Sequence, residues 1–245
     1  MKLLIIPVMT MLLCTAGPGF RSQQLEFPRV REAWREKHAV CAENLAKHGI
    51  RTGSLEIFIR IFKKEKVVEL WGRNGAGKFF PLSEYAICAT SGGPGPKRAA
   101  GDGQTPEGFY HVSRFNPNSN FFLSLGIDYP NRSDRILSAG ANTGGDIFIH
   151  GNCVTIGCIP ITDDRIKELY LYAVEARNNG QEMIPVHIFP ARMDPAGLHA
   201  LLELAGKDKP LRTFWENLAA GYDYFEKNRE LPVVSVAGNG LYEFR

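Results

Sequence analysis

The stretch "RTGSLEIFIRIFKKEKVVELWG" constrains the fold more than any other part of the chain. Leu55, Ile57, Ile59 and Ile61 alternate with Glu56 and Arg60, a period of two that only an extended strand turns into a single apolar face. The charged turn from Lys63 to Lys66 then leads into a second strand through Trp71. A β-hairpin is therefore expected here. A third strand is predicted at roughly Tyr85 to Thr90, before the loop "SGGPGPKRAAGDG" and the segment "QTPEGFYHVSRF". Further strands are predicted near Phe121 to Ile127, Asp146 to Ile149 and in "MIPVHIFPAR".

Helical periodicity lies on either side of these strands. Between Pro28 and His48, Val30, Trp34, His38, Cys41 and Leu45 recur at the three-to-four spacing of one buried stripe. Thr162 is placed to cap a helix whose first turn carries Asp163 and Asp164, favourable at the positive end of the helix dipole. Ile166, Leu169, Tyr170, Ala173 and Val174 form its apolar face, and Gly180 is its stop signal. Asp194 and Pro195 start another helix, and "PLRTFWENLAAGYDYFEKNREL" supplies a last one. Trp34, Phe214, Trp215, Tyr222, Tyr224 and Phe225 are read as packing residues rather than a glycan platform, because their spacing is that of a buried face. The fold class expected is α+β, a β-rich core with added N- and C-terminal helices.

The chain has 245 residues, 44% of them hydrophobic, enough for a real core. Its net charge of +3 is spread over mixed signs without a basic stripe, so no nucleic-acid partner is indicated. The N-terminus "MKLLIIPVMTMLLCTAGPGF" places Lys2 before an apolar run from Leu3 to Leu13 and small residues at Thr15, Ala16 and Gly17. That is the layout of a secretory signal peptide, expected over about residues 1–22 with cleavage between Ala16 and Ser22. The run is too short to span a bilayer, so no transmembrane span is expected in the mature protein. Leu13 before Cys14 argues against lipidation. An exported chain would keep Cys41, Cys88, Cys153 and Cys158 in an oxidising compartment. Cys41 and Cys88 are expected to be buried and free.

Chemistry concentrates in "IFIHGNCVTIGCIPITDD", Ile147 to Asp164. Three readings compete: a metal knot, a disulfide, or a nucleophile with its base. A zinc site would draw on His150, Cys153, Cys158 and His187, but the paired short spacings of a structural knot are missing. A Cys153–Cys158 disulfide would suit a non-catalytic binding module, or make Cys153 the redox partner of a reactive Cys158. In the third reading, His150 at a strand end takes the proton of Cys158 and lowers its pKa from about 8.5. Gly157 supplies torsions other residues avoid, and the amides of Gly157 and Cys158 face a developing oxyanion. His38, His48, His111, His187 and His199 are read as structural. "GRNGAGKF", Gly72 to Phe79, nearly spells a phosphate-binding loop, but Phe79 replaces the metal-binding hydroxyl and Pro81 follows where a helix should begin. It is read as a connection between strands.

The pattern "IHG…GC" after a strand, preceded by "GDGQTPEGFYHV", resembles the L,D-transpeptidase catalytic domain (YkuD-type) family. "NPNSNFFLSLGIDYPN", "GCIPITDD", "FWENLAAGYDYFEKNRELPVVSV" and "GLYEF" resemble its YafK-like branch, so the likeness runs from about Ser54 to the C-terminus. The resemblance implies a mixed β-sandwich-like sheet with the active cysteine at an edge. It also implies Cys158 as nucleophile, His150 as base, and the carbonyl of Gly151 as the group that orients the imidazole. Gly157 and Cys158 fall at the oxyanion positions, Thr155 and Asn152 are the candidate substrate contacts, and neither metal nor organic cofactor is implied. The implied substrates are peptidoglycan stem peptides and a wall-attached lipoprotein, in the periplasm or cell envelope, with a role in cell-wall biogenesis and cell shape. The loop between His150 and Cys158 is shorter than in ordinary members, and Pro160 stands where arginine or asparagine commonly meets substrate. The YafK-like branch includes hydrolases of amide links at diaminopimelate, so hydrolysis is expected, with crosslink formation or protein attachment as the alternative. The expected organisation is a leader over 1–22, a helical segment over 23–52, a catalytic domain over 53–190 and a helical extension packed on it over 191–245.

Overall fold

A computed structural model describes residues 19–245; the expected leader lies outside the described residues up to position 18. A short helix α1 (Phe20–Gln24) and a long helix α2 (Pro28–Lys47) lead into the predicted hairpin, β1 (Leu55–Phe62) and β2 (Val67–Asn74). Strands β3 (Phe80–Ala86), β4 (Gly108–Ser119) and β5 (Phe122–Ile127) follow, then helix α3 (Arg132–Leu137) and the short strands β6 (Phe148–His150) and β7 (Ile159–Pro160). Helix α4 (Asp163–Asn178), strand β8 (Pro185–Phe189), helices α5 (Pro195–Ala205) and α6 (Lys209–Asn228) and the hairpin β9 (Val234–Val236) with β10 (Tyr242–Phe244) complete the chain.

Eight strands form one mixed sheet in the order β3-β2-β1-β8-β4-β5-β6-β7. Two pairs are parallel, β1 with β8 and β6 with β7; the others are antiparallel. Strand β4 joins the two halves: Gly108 to His111 pair with β8, and Val112 onward pairs with β5 through two register shifts. Beyond β3 the chain folds back across the opposite edge. The Ile87 amide donates to Lys66 O at 2.8 Å and the Cys88 amide to Pro160 O at 3.0 Å. The sheet is thus curled until its first and last strands meet.

Both faces are covered, which explains why β1 is buried along almost its whole length. Leu55, Ile57, Ile59 and Ile61 point into the core beneath α2 and α4, with Leu45, Ile166, Leu169 and Tyr170. Phe58 and Phe62 point the other way, toward Phe225 and Tyr222 of α6. Arg60 shares that second face and is only 1% exposed. Its charge is met by Glu226 at 2.8 Å and Glu69 at 3.4 Å, and the rings of Phe62, Trp71, Tyr222 and Phe225 surround its guanidinium. A buried cation needs such partners.

The helix signals act as expected. The Thr162 side chain accepts from the Arg165 amide, Asp194 caps α5, and Phe214, Trp215, Tyr222 and Phe225 are buried. "GRNGAGKF" is the β2–β3 connection, with no helix after it. Two readings need correction. The third strand occupies Phe80–Ala86 rather than 85–90, because its register is set by pairing with β2 from Val67–Ala86 to Gly72–Phe80. Cys88 therefore lies beyond the strand and is exposed, not buried and free.

Helix α6 approaches the sheet closely at Gly221. A Cβ there would lie 2.5 Å from the Phe109 ring and 2.6 Å from that of Phe244. Alanine improves helix propensity by about 1 kcal/mol, but the clash lies against two packed rings. Gly221→Ala is expected to destabilise the fold by a net 1–3 kcal/mol or so, read as a lower denaturant midpoint at unchanged slope.

Candidate active site

The segment 147–164 is held at both ends. Ile149, Ile159 and Ile161 are anchored in the core, and the Ile161 amide donates to His150 O at 2.9 Å. Ile149 pairs with Ile159 and His150 with Pro160, a register that carries Cys158 opposite Phe148. His150 ends β6, and Cys158 stands one residue before β7, in the bend that closes the connecting loop. No hydrogen bond joins them. The thiol donates toward Asp146 O at 3.6 Å, and His150 Nε2 is buried without a hydrogen-bond partner.

The imidazole is fixed by its neighbours. Nδ1 of His150 meets the carbonyl oxygen of Gly151 in a short contact. A carbonyl only accepts, so Nδ1 carries the proton and neutral Nε2 keeps its lone pair. The Phe121 ring stacks over the imidazole with centroids 4.6 Å apart. Burial lowers the pKa of His150, and the Gly151 contact offsets this in part. Gly151 has no room for a side chain, since a Cβ would lie 2.4 Å from Asp163 Oδ1 and 2.8 Å from Phe121 O.

At Cys158 the direction is opposite. Burial raises the thiol's pKa, while an amide contact from Phe148 works against the rise. This differs from the lowering that a contacting imidazole brings. Burial thus pushes both groups toward their neutral forms.

The connecting loop is built by its own side chains. Gly157 has φ +140°, and a Cβ there would lie 2.9 Å from Gln104 O. Its amide donates to Thr155 Oγ1 at 3.0 Å, and that hydroxyl donates to Cys158 O at 2.8 Å. Asn152, at φ +60°, donates its amide to Asp163 Oδ1 at 2.7 Å, and its Oδ1 accepts from the Cys153 amide at 2.6 Å. Thr155 and Asn152 thus brace the loop. Ile156, 87% exposed, and Val154 form its apolar tip.

Cys153 is bonded to Cys88, with Cα atoms 5.5 Å apart, and Cys158 is free. This overturns the Cys153–Cys158 disulfide weighed as one of the three readings, and with it a redox partnership between those two residues. The set considered for zinc is also dispersed. Cys153 is committed, and His187 is buried between Phe58 and Phe109, 4.5 Å from each ring centroid. Among the described residues no group of three or more His, Cys, Asp or Glu could hold a metal ion.

Cys158 opens on a cleft of about 220 Å³. Its lining includes Ile87 and Ala89 to Pro94, beyond β3, and Lys63, Lys64 and Lys66 from the β1–β2 turn. Several of these contributors escaped sequence reasoning: Phe121, Gln104, Asp163 as loop anchor, and the Cys88 side of the cleft. Gln104 lies in the quoted "GDGQTPEG", the one signal that pointed near it.

This fold and this histidine–cysteine segment accompany a family match over residues 56–188, to the L,D-transpeptidase catalytic domain (YkuD). The chain belongs to that family, and within it to the YafK-like branch. It is 39% identical over 188 residues to YafK of Escherichia coli (strain K12), covering 76% of this chain and 72% of that one. Two solved structures are also similar. The helical cell shape determining protein Pgp2 of Campylobacter jejuni aligns with TM-score 0.46 and 18% identity over 80% of each chain. Bd1075 of Bdellovibrio bacteriovorus aligns with TM-score 0.40 and 19% identity over 75% of this chain and 77% of that one. Membership makes this chain a peptidoglycan-acting enzyme.

Cys158 is expected to be the cysteine that alkylation reaches in the folded protein, because Cys88 and Cys153 are bonded and burial pushes Cys41 up to about 12. Alkylation needs the thiolate, so its rate at pH 7 should fall below that of an unhindered cysteine and keep climbing past the ordinary thiol range. Iodoacetamide rates from pH 6 to 10, with peptide mapping, measure this.

Proposed function

We propose that the chain is a cysteine-dependent amidase of peptidoglycan, cleaving a diaminopimelate-linked amide in a stem peptide or at a wall-attached protein. The observation that carries this reading is the free thiol of Cys158 on an open cleft, at one end of a short loop whose other end holds His150 with Nε2 unpartnered. His150 removes the thiol proton as sulfur attacks the amide carbon. The oxyanion faces the Cys158 amide, since that of Gly157 is committed to Thr155. The C–N bond then breaks, and His150 returns its proton to the departing amine. Water attacks the thioester, again losing a proton to His150, and releases a carboxylate and the restored thiol. The Gly151 carbonyl holds the ring in the tautomer both steps use.

Crosslink formation is the alternative fate of the same thioester, with an amine replacing water. The loop favours hydrolysis in this reading, since its tip offers exposed Ile156 and Val154 rather than a polar acceptor site.

We further propose a catalytic unit over 53–190, with 23–52 and 191–245 as helical additions to it. Export to the periplasm or cell envelope is part of the same proposal, and the Cys88–Cys153 disulfide suits an oxidising compartment. Among the described residues no helix is long and apolar enough to cross a membrane. Leader cleavage is placed before Phe20, because Phe20 packs on Phe115 and Arg21 pairs with Glu175 at 3.2 Å.

Two outcomes test this function. Wild-type protein should release shortened muropeptides or bound protein from purified sacculi, and Cys158→Ala should lower that release by at least about a thousandfold. Unchanged release by the variant ends the cysteine mechanism; new crosslinks in mass spectra replace hydrolysis by transfer. In kcat/KM against pH, the base works only while neutral, so activity is lost as pH falls through the His150 pKa. That acid limb should lie below 6.5, the ordinary imidazole value, because burial lowers it.

A further inference from the structure

Cations crowd the Cys158 cleft. Lys63, Lys64 and Lys66 line it, and neither Asp nor Glu does. The three lysines are not equivalent. Lys63 is spent within the protein, donating to buried Glu107 at 2.8 Å, Gly95 O at 2.7 Å and Thr105 O at 3.0 Å. Its charge is cancelled and its role is to brace the cleft floor.

Lys64 and Lys66 are exposed, and neither ammonium meets a carboxylate among the described residues. Glu65 lies between them in sequence, but its Oε1 accepts from the Arg192 amide at 3.1 Å. Backbone contacts fix where the two lysines start. The Lys64 amide donates to Pro190 O at 3.0 Å, and Lys66 O accepts from the Ile87 amide at 2.8 Å. Ser91 belongs to the same lining, and its hydroxyl has no hydrogen-bond partner. A hydroxyl left unsatisfied in a cleft wall is suited to a ligand acceptor. Two uncompensated ammonium groups and one waiting donor, all beside a nucleophile, match a carboxylate.

We propose that Lys64, Lys66 and Ser91 form a carboxylate-recognition subsite in the Cys158 cleft, which selects an acidic peptide substrate by its free carboxylates. The inference rests on the peptide-amidase reading and adds the charge rule for its substrate. The lysines hold the peptide so that a neighbouring amide carbon faces the sulfur; they take no part in proton transfer.

The test separates binding from chemistry. In full-length Cys158→Ala protein, calorimetry measures the affinity of an acidic stem tetrapeptide and of the same peptide with its carboxylates amidated. The acidic form should bind roughly fivefold to tenfold tighter, the scale of two exposed ion pairs. Adding Lys64→Ala and Lys66→Ala together should erase that difference, and Lys64→Arg with Lys66→Arg should restore most of it. Both lysines are exposed, so these variants should keep their fold, checked by circular dichroism. Ser91→Ala should weaken the acidic peptide alone. The acidic advantage should also shrink with added salt. Equal affinity for the two peptides, an equal loss for both on lysine removal, or no binding of either overturns the subsite. Failure of the parent reading shows elsewhere, as inactivity on sacculi with the peptide preference intact.

Discussion

The site depends on the meeting of the two edges of a curled sheet. Strand β7 is only two residues long, and an edge strand of that length cannot hold itself in place. It is secured on one side by parallel pairing with β6 and on the other by the Cys88 amide bonded to Pro160 O. The Cys88–Cys153 disulfide joins the same two edges a few residues away, tying the loop after His150 to the chain leaving β3. Because Cys158 precedes β7 and residues 89–94 follow Cys88, both of these parts of the cleft lining grow from this seam. The closure also removes an unpaired edge that would otherwise be open to another chain.

The seam needs a floor, and the glycine- and proline-rich loop from Ser91 to Gly103 has few regular hydrogen bonds of its own. Buried charge substitutes for them. Glu107, fully buried, accepts from Lys63 at 2.8 Å, from the Gly95 amide at 2.9 Å and from Trp215 Nε1 at 2.8 Å. One carboxylate therefore joins the β1–β2 turn, the loop and helix α6. Asp102 does similar work at the far end, accepting from Lys97 and from the amides of Arg98, Ala99 and Gln104. Burial raises its pKa, but these donors outweigh that and hold it down to about 2. Gln104 is thereby fixed where its carbonyl oxygen leaves room for nothing larger than Gly157.

What the sequence reveals follows the range of the forces involved. The β1–β2 hairpin, α2, α4, α5 and α6 are legible because their faces repeat along the chain and their caps are local, as at Thr162 and Asp194. Helix α3 is hidden: six residues are too few for a period, and its capping box is Asn131 with Asp134. At the site, the torsion of Gly157 was readable from the residue, and the family likeness pointed to the Gly151 carbonyl contact with His150. The cysteine pairing was not legible, since Cys88 and Cys153 lie 65 residues apart and only the curling of the sheet brings them together. Thr155 and Asn152 are candidate substrate contacts only through the family likeness; in three dimensions Thr155 Oγ1 meets Gly157 and Cys158, and Asn152 Oδ1 meets Cys153, contacts the one-dimensional sequence does not display.

Burial at the seam acts on the imidazole of His150 and on the free thiol of Cys158 in opposite directions. Desolvation disfavours both charged forms, so the imidazole pKa falls while the thiol pKa rises, and the gap between them widens. Each unit of that gap adds about 1.4 kcal/mol to forming the ion pair from the neutral pair. The thiolate is the species that attacks disulfides and meets oxidants. In the proposed mechanism that widening ties proton transfer to the arrival of a carbonyl, whose developing oxyanion takes up the charge that sulfur would otherwise have to carry alone.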